Sequence, residues 1–373
     1  MQSQTKTNLI VLQSTPFCNI SCKYCYLPER NQKAKLSLDN FETILKNVRE
    51  NFDLEKELTL LWHSGEPFVL GPEYYETAMA ISEKIFNNNT LSFNFQTNGL
   101  LLNSKMRNIY NSPNVKIGLS LDGNEQMHDA KRIKRDGSGT FRKVMDAVNL
   151  LNKESISFSV ICVLNEDYLE RPELYDEFFA KIGVSAVTFL NPTNEGVSKQ
   201  GFAATSLIKK RLTIFYKYFV QQKFLGKAKF AVNPVDGMIR HVTSSIPLNL
   251  SHDEQHAYRI LSIGVDGKIS TFSPELAGFH HKEHGSFYIG NALNNLDIDC
   301  QKLSKFQGEI YTGIKRCKEQ CEYFEVCGGG LPTNKFFETG RFDSTEHTSC
   351  QLGQILLANV VAEEYLKQEN TQN

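Results

Sequence analysis

The chain has 373 residues, 40% hydrophobic and 22% charged, with 41 Lys and Arg set against 42 Asp and Glu. This is the composition of a globular protein large enough to bury a real core. A formal charge of -1 gives no global field that would recruit nucleic acid or an anionic membrane surface, and the first apolar run, residues 8–12, is far too short to span a bilayer.

In chain order, strand patterns are expected at 8–15, 57–64, 91–97, 115–121, 156–164 and 185–191. Helical periodicity falls between and after them at 38–51, 73–87, 103–110, 140–153, 168–181 and 204–222. Ser37 is placed to cap the first helix, with Asn40 three residues on. Six strand–helix repeats with strands apolar enough to be covered on both faces predict an α/β fold, a partial (β/α)6 TIM-like barrel. In such folds working residues collect at the C-terminal ends of the strands. Beyond residue 226 the rhythm changes. Ser262 to Thr271 reads as a hairpin turning at Asp266-Gly267, a Gly- and Cys-rich stretch follows to residue 350, and 351–366 form an apolar-periodic closing helix.

Nine cysteines in a chain expected to be cytoplasmic, where thiols stay reduced, point to metal rather than to a disulfide framework. Cys18, Cys22 and Cys25 follow the first strand. Three thiolates hold only three irons of a four-iron cluster and leave one corner open to a small molecule. Cys317, Cys321, Cys327 and Cys350 form a second, closed set. Four thiolates suit either tetrahedral zinc or a fully ligated four-iron cluster, and the upstream triad favours the cluster.

These motifs together resemble the radical S-adenosylmethionine superfamily, in its subgroup with a C-terminal cysteine-rich SPASM extension. Cys18, Cys22 and Cys25 match its CxxxCxxC, with the aromatic Tyr24 before the last ligand. His63-Ser64-Gly65-Glu66-Pro67 matches the Gly-Gly-Glu-Pro motif that receives the methionyl amine, Ser64 standing for the first Gly. Gln96-Thr97-Asn98-Gly99 and Ser120-Leu121-Asp122-Gly123 end the third and fourth strands, where relatives contact the ribose and carboxylate. Arg132 sits where related maturases bind a carboxylate, and Leu190 where the adenine would lie. Without the cysteines, Ser-Gly-Glu-Pro and Asp-Gly would read as plain turns, and the basic run 131–135 as a solvated face. The resemblance implies a barrel over 1–225, a bridging region with the hairpin over 226–300, and a SPASM-like auxiliary-cluster domain with the closing helix over 301–373. Implied cofactors are S-adenosylmethionine, a [4Fe-4S] cluster on the triad, and one auxiliary [4Fe-4S] cluster on the four C-terminal cysteines.

The SPASM pattern is incomplete. Gly330 and Phe272 stand where cysteines of a second, nearer auxiliary cluster are expected. Cys162 reads as core packing and Cys300 as structural. The segments Phe272-Ser-Pro-Glu-Leu276 and Cys327-Gly-Gly-Gly, continuing to Glu338, resemble the three-residue cyclophane-forming maturases. That resemblance implies a ribosomally made precursor peptide as substrate, an external one-electron donor, and no nucleic-acid or membrane partner. The implied reaction joins an aromatic ring carbon to an unactivated Cβ. Glu275 is the candidate proton acceptor, and His280, His281 and His284 read as loop histidines rather than metal ligands. Two alternatives are a sulfatase-type formylglycine-forming maturase and a non-catalytic iron–sulfur protein that carries electrons or binds peptide.

Overall fold

The computed structural model describes residues 5–244, 250–276 and 278–372. Six parallel strands, β1 (Thr7–Leu12), β2 (Leu54–Trp62), β3 (Thr90–Thr97), β4 (Val115–Ser120), β5 (Phe158–Val163) and β6 (Ala186–Leu190), pair in sequence order. Their helix-facing side chains, among them Leu12, Leu60, Trp62, Phe93, Phe95, Leu119 and Val160, are buried. The intervening helices cover the outer face. The first, Leu38–Asn51, buries Phe41, Ile44, Leu45 and Val48 at helical spacing, and Ser37 Oγ accepts from the Asn40 N–H at 3.2 Å.

Two helices are shorter than their periodicity. The segment expected at 168–181 is helical only over Glu173–Lys181, because Pro172 holds the residue before it out of helix and itself suits a helix start. The 103–110 segment divides into a tight turn, Ser104–Met106, and a four-residue helix, Arg107–Tyr110.

The sheet runs on beyond six strands at both ends. β7 (Ala231–Asn233) adds to β6, and β8 (Ile260–Ile263) pairs parallel with β1, Leu12 facing Ile263. β8 turns through Asp266-Gly267, with Gly267 at φ 77°, into antiparallel β9 (Lys268–Ser270), flanked by Gly290–Asn291. The sheet stays open between β7 and Gly290–Asn291, so it is a partial barrel. The hairpin therefore belongs to the central sheet, and it carries residues 271–276 toward the strand ends.

The C-terminal part is built on the helix Cys300–Gln320 and on the helix Pro332–Thr339, whose N-terminus is held by Glu254 through Thr333 N and Oγ1 at 3.2 and 2.6 Å. The last helix, Leu356–Gln372, returns to the barrel, Glu364 bonding Gln221 and Lys217. No helix among the described residues is long and apolar enough to cross a membrane.

Trp62 is the largest fully buried side chain, stacked on Phe95 at 4.7 Å and edge-on to Tyr75 at 5.4 Å, with Nε1 lacking a partner. Trp62→Ala is expected to lower the unfolding free energy by about 3–5 kcal/mol. Trp62→Phe, which drops the unsatisfied N–H, should lose far less. Urea unfolding checks both, and an alanine variant as stable as wild type contradicts this packing.

Candidate active site

β1 ends at Leu12 and the chain swings into the loop that carries the three cysteines. That loop is clamped from several sides. Ser21 N and Lys23 N donate to the carbonyls of Ile133 and Lys131 at 2.7 and 3.0 Å, and Cys18 N donates to Arg30 O at 3.0 Å. Arg30 and Arg135 bond the carbonyls of Cys22 and Cys18 at 2.9 and 2.7 Å. The basic run 131–135 is thus no solvated face; it is the strap that holds the cysteine loop. Burial pushes the Cys18 thiol up to about 12 and the Cys22 thiol to about 11. Such thiols ionise on metal binding, with release of protons.

At the end of β2 the backbone is strained. Ser64 sits at φ 67°, a left-handed conformation that costs a residue with a Cβ about 1–2 kcal/mol. Gln13 Nε2 donates to its carbonyl at 2.9 Å, and Tyr26 OH lies 3.3 Å from both Ser64 Oγ and His63 Nε2. Gly65, at φ 131°, has no alternative: a Cβ there would lie 2.1 Å from Thr15 O. Glu66 follows, 1% exposed, and accepts from Phe68 N at 3.1 Å, Thr97 Oγ1 at 2.7 Å and Asn98 N at 2.8 Å. Burial outweighs these bonds and holds its carboxyl near 7. A cation brought to this group would find its countercharge prepared.

The next strand ends add their residues. Asn98 Nδ2 reaches Asn19 Oδ1 at 2.7 Å and Cys18 Sγ at 3.7 Å, and Gln96 Nε2 bonds Ser120 Oγ at 3.0 Å. Asp122 accepts from Tyr24 OH at 2.5 Å, Arg132 Nε at 3.0 Å and Val163 N at 3.0 Å. Arg132 in turn places Nη1 3.9 Å from Cys22 Sγ.

Cys18, Cys22, Cys25, Tyr24, Ser64, Gly65, Glu66, Asn98, Ser120, Arg132, Leu190 and Glu275 all line one cavity of about 290 Å³. Asp122 does not face it; it lies behind and orients Tyr24 and Arg132. Leu190 is 43% exposed at the mouth. Glu275 comes from the hairpin side, its Oε2 buried without a partner. Burial, with the charges of Glu195 and Glu254, pushes its carboxyl up to about 8.

Lining residues to which the sequence assigned no role include Tyr26, His63 and Glu195. Burial lowers His63 to about 4, so it is neutral and a partner for the tyrosine rather than a charge. Tyr26 adjoins Cys25 and His63 opens the Ser-Gly-Glu-Pro motif, so proximity to a motif was the available signal; Glu195, in the loop after β6, offered none.

The second cysteine group surrounds a larger cavity of about 630 Å³, lined by Cys317, Cys321, Cys327, Gly330, His347 and Cys350 among others. Among the described residues no three His, Cys, Asp or Glu side chains converge as a single ion requires. Cys350 is fixed through Glu338, which accepts from Thr348 N, Ser349 N and Ser349 Oγ and pairs with His347, and is held at about 2 mainly by the bonds to His347 and Ser349, against its own burial.

Phe272, 0% exposed, stacks on Phe342 at 5.1 Å within a cluster of Phe287, Phe306 and Phe336. His284 does lie in a turn, between His280–His281 and Gly285–Ser286, but it is buried in this cluster, bonded to Glu309 at 3.0 Å and His281 at 3.1 Å. Cys162 is buried in β5 as expected for packing, whereas Cys300 is exposed on the first turn of its helix, so core packing does not account for it.

Residues 12–178 match the family model described as the Radical SAM superfamily. An uncharacterized protein of Synechocystis sp. is 33% identical over 363 residues, covering 95% of this chain and 91% of its own length. The chain belongs to the radical SAM superfamily. A serine-type anaerobic sulfatase-maturating enzyme of Bacteroides thetaiotaomicron is 24% identical, over 86% of this chain and 81% of that one. Among solved structures, native anSMEcpe with bound AdoMet and Cp18Cys peptide superposes with a TM-score of 0.74 at 18% identity, covering 99% of this chain and 100% of the other. The protein is a radical SAM enzyme, with the S-adenosylmethionine and iron–sulfur chemistry of that superfamily, and it shares the fold of anSMEcpe along nearly its whole length.

The contact of Gly65 with Thr15 gives a direct test. Gly65→Ala in this radical SAM enzyme should abolish S-adenosylmethionine binding, measured by equilibrium dialysis of reconstituted protein. Gly308→Ala, in a helix with nothing within 4 Å of the new Cβ, should bind normally and gain about 1 kcal/mol of stability.

Proposed function

We propose that this enzyme forms a carbon–carbon crosslink between an aromatic ring and a Cβ of a precursor peptide, a cyclophane. The observation that carries the reading is the single cavity in which three thiols, Glu66 and the unpartnered carboxyl of Glu275 meet. Cys18, Cys22 and Cys25 would hold the open cluster. Glu66 would take the amine of S-adenosylmethionine, Arg132 its carboxylate, Asn98 and Ser120 the ribose, and Leu190 the adenine. Bound there, S-adenosylmethionine and its cluster supply one-electron chemistry that removes hydrogen from an unactivated carbon, beyond the reach of any side-chain base.

The remaining work falls to the chain itself. Joining a ring carbon to a Cβ removes two hydrogens: the Cβ hydrogen leaves as an atom, and the ring hydrogen leaves as a proton that needs an acceptor together with one electron, which the closed cluster would take. Glu275 faces the cavity with a free oxygen and an ionisation near working pH, where a general base is most effective. Cys317, Cys321, Cys327 and Cys350 would hold one closed auxiliary cluster. Phe272, where the resemblance would put a ligand of a nearer auxiliary cluster, is stacked on Phe342, which supports a design with one auxiliary cluster. An external one-electron donor is required to reduce the open site.

Formylglycine formation is the second reading, favoured by the likeness to a sulfatase-maturating enzyme. Incubation of reduced holoenzyme with S-adenosylmethionine and peptides bearing an aromatic residue two places before the acceptor Cβ separates the two. Loss of two hydrogens, with a ring-to-Cβ link by NMR, is the expected result. An aldehyde at Ser or Cys supports the alternative, and protein that never forms 5′-deoxyadenosine is not catalytic.

Glu275 acts only when ionised, and its carboxyl is raised, so the active fraction falls tenfold for each pH unit below about 8. The crosslinking rate should therefore rise with pH and level above about 8. Glu275→Gln should lower it by about 10²–10⁴-fold and remove that step. Glu195→Gln, which takes away a neighbouring negative charge, should move the step to lower pH. A Glu275→Gln variant with the wild-type profile refutes the assignment.

A further inference from the structure

Lys335 is an anomaly of the C-terminal region. It is 2% exposed, yet it is a lysine, and burying an ammonium without a countercharge is strongly unfavourable. No carboxylate among the described residues pairs with it. Glu338, three residues on along the same helix, is taken up by His347, Thr348 and Ser349. Glu254, at the N-terminus of that helix, is taken up by Thr333 and Ser273. What Lys335 Nζ does reach is Cys317 Sγ, at 3.5 Å.

The geometry around it is built rather than incidental. Residues three apart share a helix face, so Lys335 and Glu338 point to the same side of Pro332–Thr339. Lys335 meets the first cysteine of the set, and Glu338 fixes the segment that ends in the last, Cys350. Lys335 does not line the 630 Å³ cavity; it stands behind Cys317 and touches the site through that sulfur. At the rim, Gly330 has φ 73°, and a Cβ there would sit 3.9 Å from both Lys335 Cε and Cys327 Sγ. Four thiolates around a four-iron cluster carry net negative charge, and a hydrogen bond from an ammonium to a ligating sulfur favours the reduced state, where that charge is greatest.

We propose that Lys335 is the positioning residue that sets the reduction potential of the auxiliary cluster, raising it through a charged hydrogen bond to the Cys317 sulfur. This rests on the reading of Cys317, Cys321, Cys327 and Cys350 as iron–sulfur ligands. The consequence is a relay poised to take up an electron more readily than four thiolates alone would allow.

The test uses the full chain with Cys18, Cys22 and Cys25 changed to Ala, reconstituted anaerobically so that only the four-cysteine site carries iron. Iron and sulfide content are assayed, and the potential is read by EPR-monitored titration without substrate. Lys335→Gln is expected to make reduction about tenfold less favourable, a fall of about 59 mV for one electron. Lys335→Arg, which keeps the charge, should stay near the parent value. A loaded Gln variant with the parent potential overturns the proposal, as does an Arg variant displaced as far as Gln. Should Gln fail to load iron while Arg loads, the need for charge is upheld; should both fail, Lys335 is a packing residue and the proposal falls. A parent protein without iron and sulfide removes the iron–sulfur reading itself, an outcome that the metal assay separates from the others.

Discussion

The close approach of the β1 and β2 ends is the constraint on which the site depends. Glu66 N donates to Phe17 O at 2.8 Å and His63 N to Leu12 O at 3.2 Å, while Gly65 passes so near Thr15 O that no side chain fits. This contact lays the cysteine loop directly over the turn that delivers Glu66. Remove it, and three sulfurs and a carboxyl still exist, but no longer around one cavity. The left-handed Ser64 belongs to the same constraint: its strain is local, and it is offset by bonds from Gln13 and Tyr26 that only the assembled loop can make.

Much of this was legible in the residues, and the reason is physical. Strands β1 to β6 are apolar runs bounded by turn formers, and each predicted one overlaps its observed counterpart to within a few residues. The cysteine triad, Glu66, Asn98, Ser120 and Leu190 lie at strand ends or in the loop that follows one, so sequence order places them on one face, whereas Arg132 returns to it only after the short helix Glu125–Asp129. Other features depend on contacts between distant segments, and local pattern is silent there. The parallel pairing of β8 with β1 joins residues some 250 positions apart. Asp122 carries the motif position but turns away from the cavity, because Tyr24, Arg132 and Val163 compete for its oxygens. His284 looked like part of a polar loop, yet Phe287, Phe306, Phe336 and Phe342 enclose it.

The aromatic cluster also explains how the C-terminal region keeps its shape. A cluster cross-links distant segments with covalent metal–sulfur bonds. Here the hairpin residue Phe272, the helix residue Phe306 and the later Phe336 and Phe342 bring the same segments together by burial. Aromatic pairs contribute about 0.5–1.5 kcal/mol each beyond buried area, and Phe272 alone contacts Phe287, Phe306 and Phe342. Gly313 lets the two layers approach, since a Cβ there would lie 2.6 Å from Phe342 O.

That packing bears on the chemistry at the hairpin. A metal cluster beside residues 272–276 would bring negative charge and hold any neighbouring carboxyl in competition with it. A hydrocarbon core does something different: it desolvates. Glu275 sits at the border between that core and the cavity, close enough to Glu195 and Glu254 to feel both, with one oxygen unbonded. Apolar packing behind and carboxylates beside it act in the same direction, each disfavouring the ionised form. The buried aromatic ring of Phe272 and a carboxyl that ionises near neutrality are therefore two consequences of one short segment, Phe272-Ser-Pro-Glu275, on a single turn of the chain.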